Sequence, residues 1–502
     1  MKSLTKFFYI IHLIVLFSFL KTLASSDVQS YSSSEILNES IMLNTISNQK
    51  TTQFNAISEL NYFNYPSVIS GVDVFSNSHL SLIDLNIQFT TLPEQSKKTL
   101  IFPQSIQIPH SGALIEMNYT QQMESSKNNL FTVPVLLYSV QLDDSQALLL
   151  GRSFVNTSWI DKNLFLSAVH PLAHDQFINY EPQGLFGLQY RSKNLFLDNQ
   201  HELKFIAGYF SLYLPSQEPT VDFVNDKAVI YSRWASKPPS TYIFNNQTKN
   251  VHYQLDDYSK NEILNNPSVF IGAQYKHKNI SLNSGYKMGP MNQIALERDT
   301  YSDLTLDTFV KLKPVVKKTQ IAFLDLVYDL NTNFQAGIST LVDQPDSYKS
   351  SDIGYINSDY SRLTASGVFL NYYTDSFYIF NNFKWQLSYS ETFGGEIKDL
   401  NPDGKENVIL VKPYRQLFFK PLKFSIGGSS SWGVTDVTYI YDSFQDGSLI
   451  QWQQKKNLTE KLSLNLGLGL LGSGAESSQS KNYFIPKFKS NDFFTTGVQY
   501  VF

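Results

Sequence analysis

The chain has 502 residues, of which 14% are aromatic and only 17% charged, well below the roughly 25% charged residues of an ordinary soluble domain. It contains no cysteine, which excludes disulfide scaffolds, thiolate metal sites and cysteine nucleophiles. The formal net charge of −4 lacks the basic excess of a polyanion-binding protein, so no nucleic-acid partner is expected.

The first 25 residues are predicted to be a signal peptide. Lys2 and Lys6 precede an almost wholly apolar run from Phe7 to Leu20, and small residues suited to cleavage follow. A helix that spans a bilayer needs about 20 apolar residues, so this run is short for a permanent anchor. Cleavage after Ala24 or Ser25 would export the rest of the chain.

Residues 26–65 are rich in Ser, Asn and Gln, and we predict a polar N-terminal segment that is periplasmic, lumenal or disordered. From residue 66 to residue 502 the pattern changes to strands in which apolar and polar residues alternate. Leu462, Leu464, Leu466, Leu468 and Leu470 share one face of the clearest strand, with Ser, Asn and Gly on the other. Period-2 alternation over nine residues predicts a β-strand.

The same alternation recurs along the chain, and the apolar rows are as follows: Ile83, Leu85, Ile87 and Phe89; Val269, Ile271, Ala273 and Tyr275; Ile280, Leu282, Tyr286 and Met288; Leu304, Leu306, Val310 and Leu312; Phe377, Ile379, Phe383, Trp385, Leu387 and Tyr389; Phe494, Thr496, Val498, Tyr500 and Phe502. A soluble β-sandwich also alternates, and it stays open as an alternative. Polar faces rich in Gly, Ser, Asn and Gln, and aromatic residues near the strand ends, favour a transmembrane barrel.

The C-terminal strand resembles that of bacterial, Gram-negative outer-membrane β-barrel proteins of the porin-like kind. Phe502, Tyr500, Val498 and Phe494 match the terminal signature that the barrel-assembly machinery reads in that family, whereas Thr496 departs from it mildly. The resemblance implies an all-β fold, a transmembrane antiparallel up-and-down barrel in the outer membrane, crossed many times by the chain. It identifies no subfamily.

About twenty strand-like stretches follow residue 66, and we predict 16–18 spanning strands, within a range of 14–22. Short turns are expected at residues 277–279 and 331–333. Long outer connections are expected at residues 342–361, 390–406 and 472–490, and above all at residues 215–267. A loop of the last length in such a barrel suggests a lid, or a segment that folds inward and narrows the pore.

No common catalytic motif occurs, so an enzyme is not expected, although a site assembled from distant strands stays open. His170 and His174 are four residues apart, but Pro171 argues against a metal-binding helix. Asp399, Asn401 and Asp403 match the first half of a calcium loop, which is a weak candidate because Leu410 stands where a bidentate Glu is needed. No cofactor is predicted.

The informative charges are those on the polar faces of predicted strands. A charge that faces lipid at mid-depth costs about 2–4 kcal/mol, so such residues are expected to face the lumen. Lys276, Lys287 and Lys311, with Asp84 and Asp307, are the candidate lumen-lining charges. They would bias the passage of ions and solutes, although a role as rim charges is an equally open interpretation.

The leading functional hypothesis is a porin-like channel for passive diffusion of small hydrophilic solutes, because a barrel of 16 or more strands is too wide for side chains to fill. Two alternatives stay open: a surface adhesion barrel that binds with its long outer loops, and a transporter of hydrophobic compounds plugged by residues 26–65. The expected partners are outer-membrane lipid, the barrel-assembly machinery and small solutes. Assembly as a homo-oligomer is not decided.

Overall fold

A computed structural model describes sixteen ranges of the chain, and all structural statements below concern these residues: 55–64, 81–92, 106–122, 129–171, 183–193, 201–215, 221–224, 227–230, 240–256, 259–293, 295–346, 357–400, 406–413, 417–474, 483–487 and 492–501. The predicted signal peptide, His174, Asn401, Asp403 and Phe502 lie outside them. Among the described residues no helix combines the length and the apolar character needed to cross a bilayer.

Eighteen of the described strands form one antiparallel sheet. They are β1 (Asn55–Asn64), β2 (Ser81–Thr90), β3 (Gly112–Gln122), β4 (Asn129–Asp143), β5 (Gln146–Ser153), β6 (Leu185–Lys193), β7 (His201–Leu212), β12 (Ser268–His277), β13 (Ile280–Pro290), β16 (Lys318–Asp329), β17 (Phe334–Pro345), β19 (Leu363–Phe377), β20 (Phe380–Gly394), β23 (Pro421–Ser430), β24 (Gly433–Asp442), β25 (Gly447–Asn457), β26 (Leu462–Ser473) and β27 (Phe493–Val501).

The order of pairing makes this sheet a barrel. Each strand pairs with its predecessor and its successor among the eighteen, and β1 pairs with both β2 and β27. The ring of pairings therefore closes, which removes the exposed edges that an open sheet would have. The predicted all-β up-and-down barrel and the predicted number of 16–18 strands are confirmed.

The barrel begins earlier than the sequence suggested. Asn55–Asn64 is a strand of the ring and pairs over its whole length with β2. The expected boundary at residue 66 is therefore wrong, since this strand falls within the range 26–65 that was predicted to be a polar segment. The alternation of apolar and polar residues in β1 is weak. Its place in the ring is fixed by its pairing with β2 and β27.

Connections on one end of the barrel are mostly short, and those on the other end are mostly long. The short turns predicted at residues 277–279 and 331–333 lie at residues 278–279 and 330–333. Long connections expected from the sequence are present at residues 213–267, 346–362, 395–420 and 474–492, and residues 291–317 form another that was not expected. A turn at residues 378–379 with Tyr378 at φ 53° separates β19 from β20. The apolar row from Phe377 to Tyr389 is therefore two strands and not one.

The long connections carry nine more strands and two short helices. These elements are β8 (Val221–Val224), β9 (Lys227–Ile230), β10 (Thr241–Phe244), β11 (Gln247–Leu255), α2 (Lys260–Leu264), β14 (Ala295–Ser302), β15 (Thr308–Val315), β18 (Asn357–Tyr360), β21 (Glu396–Leu400), β22 (Glu406–Pro413) and α3 (Phe484–Lys487). They form sheets of four, three and two strands outside the ring: β10-β11-β15-β14, β18-β21-β22 and β8-β9.

Candidate functional site

The outer face of the ring is apolar and exposed. In β16, Leu324 and Leu326 are 48% and 41% exposed, whereas Asp325 between them is 4% exposed. The same contrast runs round the barrel, and its exposed apolar members include Tyr138, Leu150, Leu188, Tyr209, Ile271, Met288, Ile338, Val368, Leu387, Leu422, Val498 and Tyr500. An exposed apolar surface of this extent marks a face that is covered by a partner or a membrane.

The inner face carries polar and charged side chains, many of which are buried. They include Gln189, Arg191, Lys287, Asp325, Ser339, Asp343, Asn371, Ser390 and Gln451. Buried polar groups need hydrogen-bond partners, and much of this need is met by a stretch of chain inside the barrel.

That stretch is residues 154–171, called the lumenal segment from here on, which follows β5. Almost all of its residues are buried, and it contains the one-turn helix α1 (Trp159–Asn163). Ser158 caps this helix by accepting a hydrogen bond from the Asp161 backbone N–H at 3.1 Å. The Asp161 carboxylate accepts from the Thr157 hydroxyl and from the backbone N–H groups of Ala168 and Val169, at 2.8–3.2 Å. Asp161 therefore holds the segment in a tight loop.

The helical end of the lumenal segment is bound to the far wall of the barrel. The backbone N–H of Trp159 donates to Asp325 Oδ2 on β16, and that of Ile160 donates to Ser339 Oγ on β17, both at 3.1 Å. The side chain of Asn163 donates to Ser390 Oγ on β20 at 3.3 Å. The bonds from Trp159 and Ile160 satisfy backbone N–H groups of the first helical turn, which have no partner within the helix.

The returning end of the segment is bound to β13 and to the residues after it. Lys287 Nζ donates to the Val169 carbonyl at 3.0 Å and to Asn292 Oδ1 at 2.8 Å. The Asn292 amide donates to the carbonyls of Ser167 and Ala168, at 2.7 and 2.8 Å. Arg191 Nη2 donates to the Phe154 carbonyl at 2.7 Å. The segment thus contacts the wall on strands from β6 to β20 and crosses the lumen.

An apolar layer surrounds the lumenal segment. Its members from the segment are Val155, Ile160, Leu164, Phe165, Leu166, Ala168 and Val169, and those from the wall and the connections include Ile206, Phe210, Phe270, Ile321, Phe323, Leu341, Leu363, Phe418, Ile440, Leu449, Leu471, Phe484, Ile485 and Phe493. The wall residues of this set lie toward the end that carries the long connections. The apolar residues of the lumenal segment and of the wall therefore pack together at that level of the barrel.

His170 is fully buried at the end of this segment. Its Nε2 lies 2.9 Å from the Val155 carbonyl oxygen, and its ring packs edge-on against Phe154. Burial lowers the pKa of His170 to about 4, with further lowering by the charges of Lys287 and Arg191, so the ring is neutral near pH 7. His174, the other member of the candidate His170–His174 pair, lies outside the described residues.

The candidate lumen-lining charges divide into two groups. Lys276 lies on the inward face of β12, paired with Ser281, and Lys287 lies on the inward face of β13, paired with Phe270. Lys287 is buried and binds the lumenal segment. Asp84 lies on β2, opposite Asn61 and Thr120.

Asp307 and Lys311 do not lie on a barrel strand. The row from Leu304 to Leu312 falls in a turn and in β15, which pairs with β14 and, in parallel, with β11 outside the ring. The Asp307 carboxylate accepts from the Asn250 backbone N–H at 2.9 Å, and Lys311 pairs with Asp256 at 3.6 Å. The prediction of a spanning strand here is wrong because local alternation cannot show which strand will be the neighbour.

The C-terminal strand agrees with its prediction where it is described. Phe494, Val498 and Tyr500 are 40–44% exposed on the outer face of β27. Asp399 lies on β21 opposite Asn407 and Ser358, while the other two members of the candidate calcium loop lie outside the described residues. No group of three or more His, Asp or Glu side chains placed to hold a metal occurs among the described residues.

The lumenal segment was not predicted from the sequence, which pointed to residues 215–267 for an inward fold. One local signal was present: Ser158 and Asp161 stand before the apolar run Leu164–Leu166, which is the sequence pattern of a capped helix start. A capped helix in a chain of strands needs a separate place to pack. Nothing local shows that this place is the barrel interior.

Comparisons with known proteins give structural matches only. No protein-family model matches the chain, and no curated protein matches it. The crystal structure of Acinetobacter baumannii OccAB4 is similar at 10% identity, covering 91% of this chain and 100% of that chain with a TM-score of 0.41. Pseudomonas aeruginosa OprD is similar at 10% identity over 89% and 94% of the two chains with a TM-score of 0.39.

A mutant of the Rhodopseudomonas blastica porin is similar at 8% identity, over 90% of this chain and 99% of that one, with a TM-score of 0.33. The evidence for the barrel is therefore the pairing of the chain's own strands and not its similarity to these structures.

Proposed function

We propose that this chain is an outer-membrane channel for small hydrophilic solutes, in which the lumenal segment forms the constriction. The observation that carries the proposal is the contrast between the two faces of the ring: exposed apolar residues outside, polar and charged residues inside. A polypeptide can cross hydrocarbon only if every backbone polar group is paired, which a closed barrel achieves. The outer face then meets lipid.

The width of the barrel supports passage. A barrel of 16–18 strands encloses more space than its own side chains fill. Here the chain itself enters that space, with residues 154–171 and with Ile106, whose backbone N–H donates to Gln274 Oε1 on β12 at 3.2 Å. The proposed route for solutes is the space that these two segments leave.

Planar-bilayer recording of the purified protein tests this proposal. We expect stepwise single-channel conductance, and a variant in which residues 159–167 are replaced by a short Gly-Ser linker should conduct at least twice as much per channel. A matched control replaces residues 241–250, a hairpin outside the ring, with the same linker and should leave conductance unchanged. Absence of steps from both the native protein and the 159–167 variant would contradict the channel.

A second candidate function is a surface adhesion barrel. It is favoured by the four-stranded sheet β10-β11-β15-β14, which the long connections build outside the ring and whose hairpin ends expose Ile243 (78%) and Leu304 (104%). The 241–250 variant separates the two: loss of binding to a cell or surface ligand with unchanged conductance would support adhesion.

The third hypothesis is a plugged transporter for hydrophobic compounds, and its candidate plug is now the lumenal segment and not residues 26–65. Residues 55–64 are a wall strand, so residues 26–65 as a whole cannot fill the lumen. The 159–167 variant tests occlusion by the lumenal segment instead, because a native protein without conductance beside a conducting variant would indicate a plug. We assign the chain no enzymatic activity, and contact with the barrel-assembly machinery and homo-oligomer formation stay predictions.

A further inference from the structure

Two histidines face each other at the end of the seam between β7 and β12. His201 is the first residue of β7 and His277 is the last residue of β12, and the two are register partners. Their ring centres lie 4.1 Å apart, and the ring planes make an angle of 15°. Both residues are half-buried. The two imidazoles therefore stack face to face at a place that is open to solvent.

The pair lies on the outer face of the ring, at the end that carries the short turns. Successive residues of a strand point to opposite faces, so His277 shares its face with Ile271 and His201 shares its face with Tyr209, both of which are exposed outside. The turn at residues 278–279 follows His277 directly. Short turns lie on the periplasmic side of outer-membrane barrels, which places the pair at the periplasmic rim.

Tyr275 fixes the orientation of one of the two rings. His201 Nδ1 lies 2.7 Å from Tyr275 Oη, and the two rings stack with 5.9 Å between their centres. A histidine that binds a metal ion commonly makes such a hydrogen bond with one ring nitrogen, which sets the tautomer and directs the other nitrogen to the metal. In His201 the nitrogen directed in this way is Nε2.

The charged side chains of the adjacent strand positions lie on the opposite face. Glu202 and Lys276 are register partners next to the two histidines, and alternation places both on the inward face. Lys204, which pairs with Glu202 at 3.1 Å, shares that face. The strand residues that follow the pair on the outward face are Leu203 and Tyr275, which are partners and uncharged. The lysines of these two strands therefore point away from the imidazoles and do not repel a cation between them.

Stacked imidazoles at this spacing suit a transition-metal ion. A zinc–nitrogen bond is about 2.0–2.1 Å long, so two nitrogens bound to one ion lie about 4 Å apart at most. Ring centres 4.1 Å apart bring the two imidazoles within that reach. Imidazole favours Cu²⁺, Ni²⁺ and Zn²⁺, whereas Ca²⁺ and Mg²⁺ prefer oxygen ligands. The ligand chemistry therefore selects the first class of ion.

We propose that His201 and His277 together bind one divalent transition-metal ion, Cu²⁺, Ni²⁺ or Zn²⁺, at this rim. No third His, Asp or Glu of the described residues is placed to complete such a site, so water takes the remaining positions. The ion would link two strands whose connection, residues 213–267, is the longest in the ring. It would stabilise the folded barrel, because it binds only when the two strands are paired. The site does not depend on the proposed channel.

Titration of the purified protein in detergent tests the site. The protein carries no polyhistidine tag, is freed of metal with EDTA, and is titrated with CuCl₂, NiCl₂ and ZnCl₂ in a calorimeter. His201→Gln and His277→Gln should each weaken binding by about tenfold or more, because losing a ligand costs at least as much as losing its hydrogen-bond partner. His252→Gln is the matched control: His252 is also half-buried and stacks on Phe309, but it lies on β11 outside the ring.

The electron paramagnetic resonance spectrum of the Cu²⁺ form counts the nitrogen ligands without any variant. We expect the couplings of two imidazole nitrogens in the native protein and of one in either histidine variant. Folding of each variant is checked by its mobility on an unheated SDS gel. The site is overturned by a lack of saturable binding for all three ions, by affinity unchanged in both histidine variants, or by a native spectrum without nitrogen couplings. Loss of binding in the His252 variant alone would overturn it equally.

Discussion

The β16–β17 hairpin and the lumenal segment bury polar groups in opposite ways. In the hairpin, exposure alternates residue by residue: Leu324, Leu326 and Ile338 are 41–56% exposed, and Asp325 and Ser339 beside them are almost fully buried. In the lumenal segment nearly every residue is buried, whether polar or apolar. The hairpin has an exposed outer face and a buried inner face, whereas the lumenal segment is surrounded on all sides by the inside of the barrel.

The two regions depend on each other through a few hydrogen bonds. The inward side chains of the hairpin, Asp325 and Ser339, accept from the backbone of Trp159 and Ile160 and also bond to each other at 2.5 Å. The wall therefore supplies partners for a helix end that would otherwise be buried unsatisfied. The inward side chains of the hairpin make hydrogen bonds to one particular segment of the chain, whereas its outward side chains need only apolar surroundings.

The largest expected effect comes from a charge on the outer face. Leu324→Arg, near the middle of β16, should lower the free energy of unfolding from lipid vesicles by about 2–4 kcal/mol, because the charge would face hydrocarbon. Gln320→Arg, closer to the end of the same strand, should cost about 0–1 kcal/mol. Urea unfolding in vesicles measures both, and equal small costs would indicate that this face meets water.

The next effect is a loss of stability in acid through His170. Its pKa is about 4 in the folded protein and 6.5 without its environment, so the released segment takes up a proton that the folded one does not. Stability is full above pH 6.5 and falls by roughly 3 kcal/mol as the pH approaches 4. Hydrogen exchange of the segment at pH 7 and pH 5 measures this, and His170→Gln should remove most of the difference.

Lys287→Met should release the returning end of the lumenal segment. Hydrogen bonds to a charged group contribute about 1.5–3 kcal/mol, and this change leaves the buried Val169 carbonyl without its donor. We expect faster proteolysis within the segment and noisier, larger conductance. Lys276→Met on the neighbouring strand is the control, and equal behaviour of the two variants would refute the anchoring role.

The smallest effect is expected in the outer sheet. Lys311→Gln breaks the half-exposed pair with Asp256, and exposed ion pairs contribute about 0–1 kcal/mol. Ion selectivity in planar bilayers should stay as in the native protein, because Lys311 lies on a strand outside the ring. A clear change in reversal potential would return Lys311 to the lumen-lining charges.

Much of the barrel wall could be predicted, because apolar and polar residues alternate along each strand according to the face on which they lie. Phe494, Val498 and Tyr500 alternate with polar residues and are exposed on the outer face of β27. The turn at residues 278–279 could be predicted because the polar run from His277 to Asn279 separates the alternating rows of two strands. The same local pattern failed at residues 304–312, because membership of the ring depends on which strand pairs with β15. Pairing is not local.

The lumenal segment was harder to predict for a related reason. Its hydrogen-bond partners Asp325, Ser339 and Ser390 lie more than 150 residues further along the chain, on three different strands. A sequence pattern can show that a strand has a polar face, but it cannot show what that face binds.

Disulfide formation across the β1–β27 seam tests the closed barrel most directly, since the chain has no native cysteine. Cysteines are introduced in pairs at the register partners Ser58 and Tyr500, and at Glu59 and Gln499, so that one pair falls at each type of antiparallel site. Leu464 and Val498, partners on β26 and β27, form the control pair. We predict mild oxidation of the folded protein to cross-link at least one seam pair as well as the control. Cross-linking of the control pair alone would contradict the closed barrel.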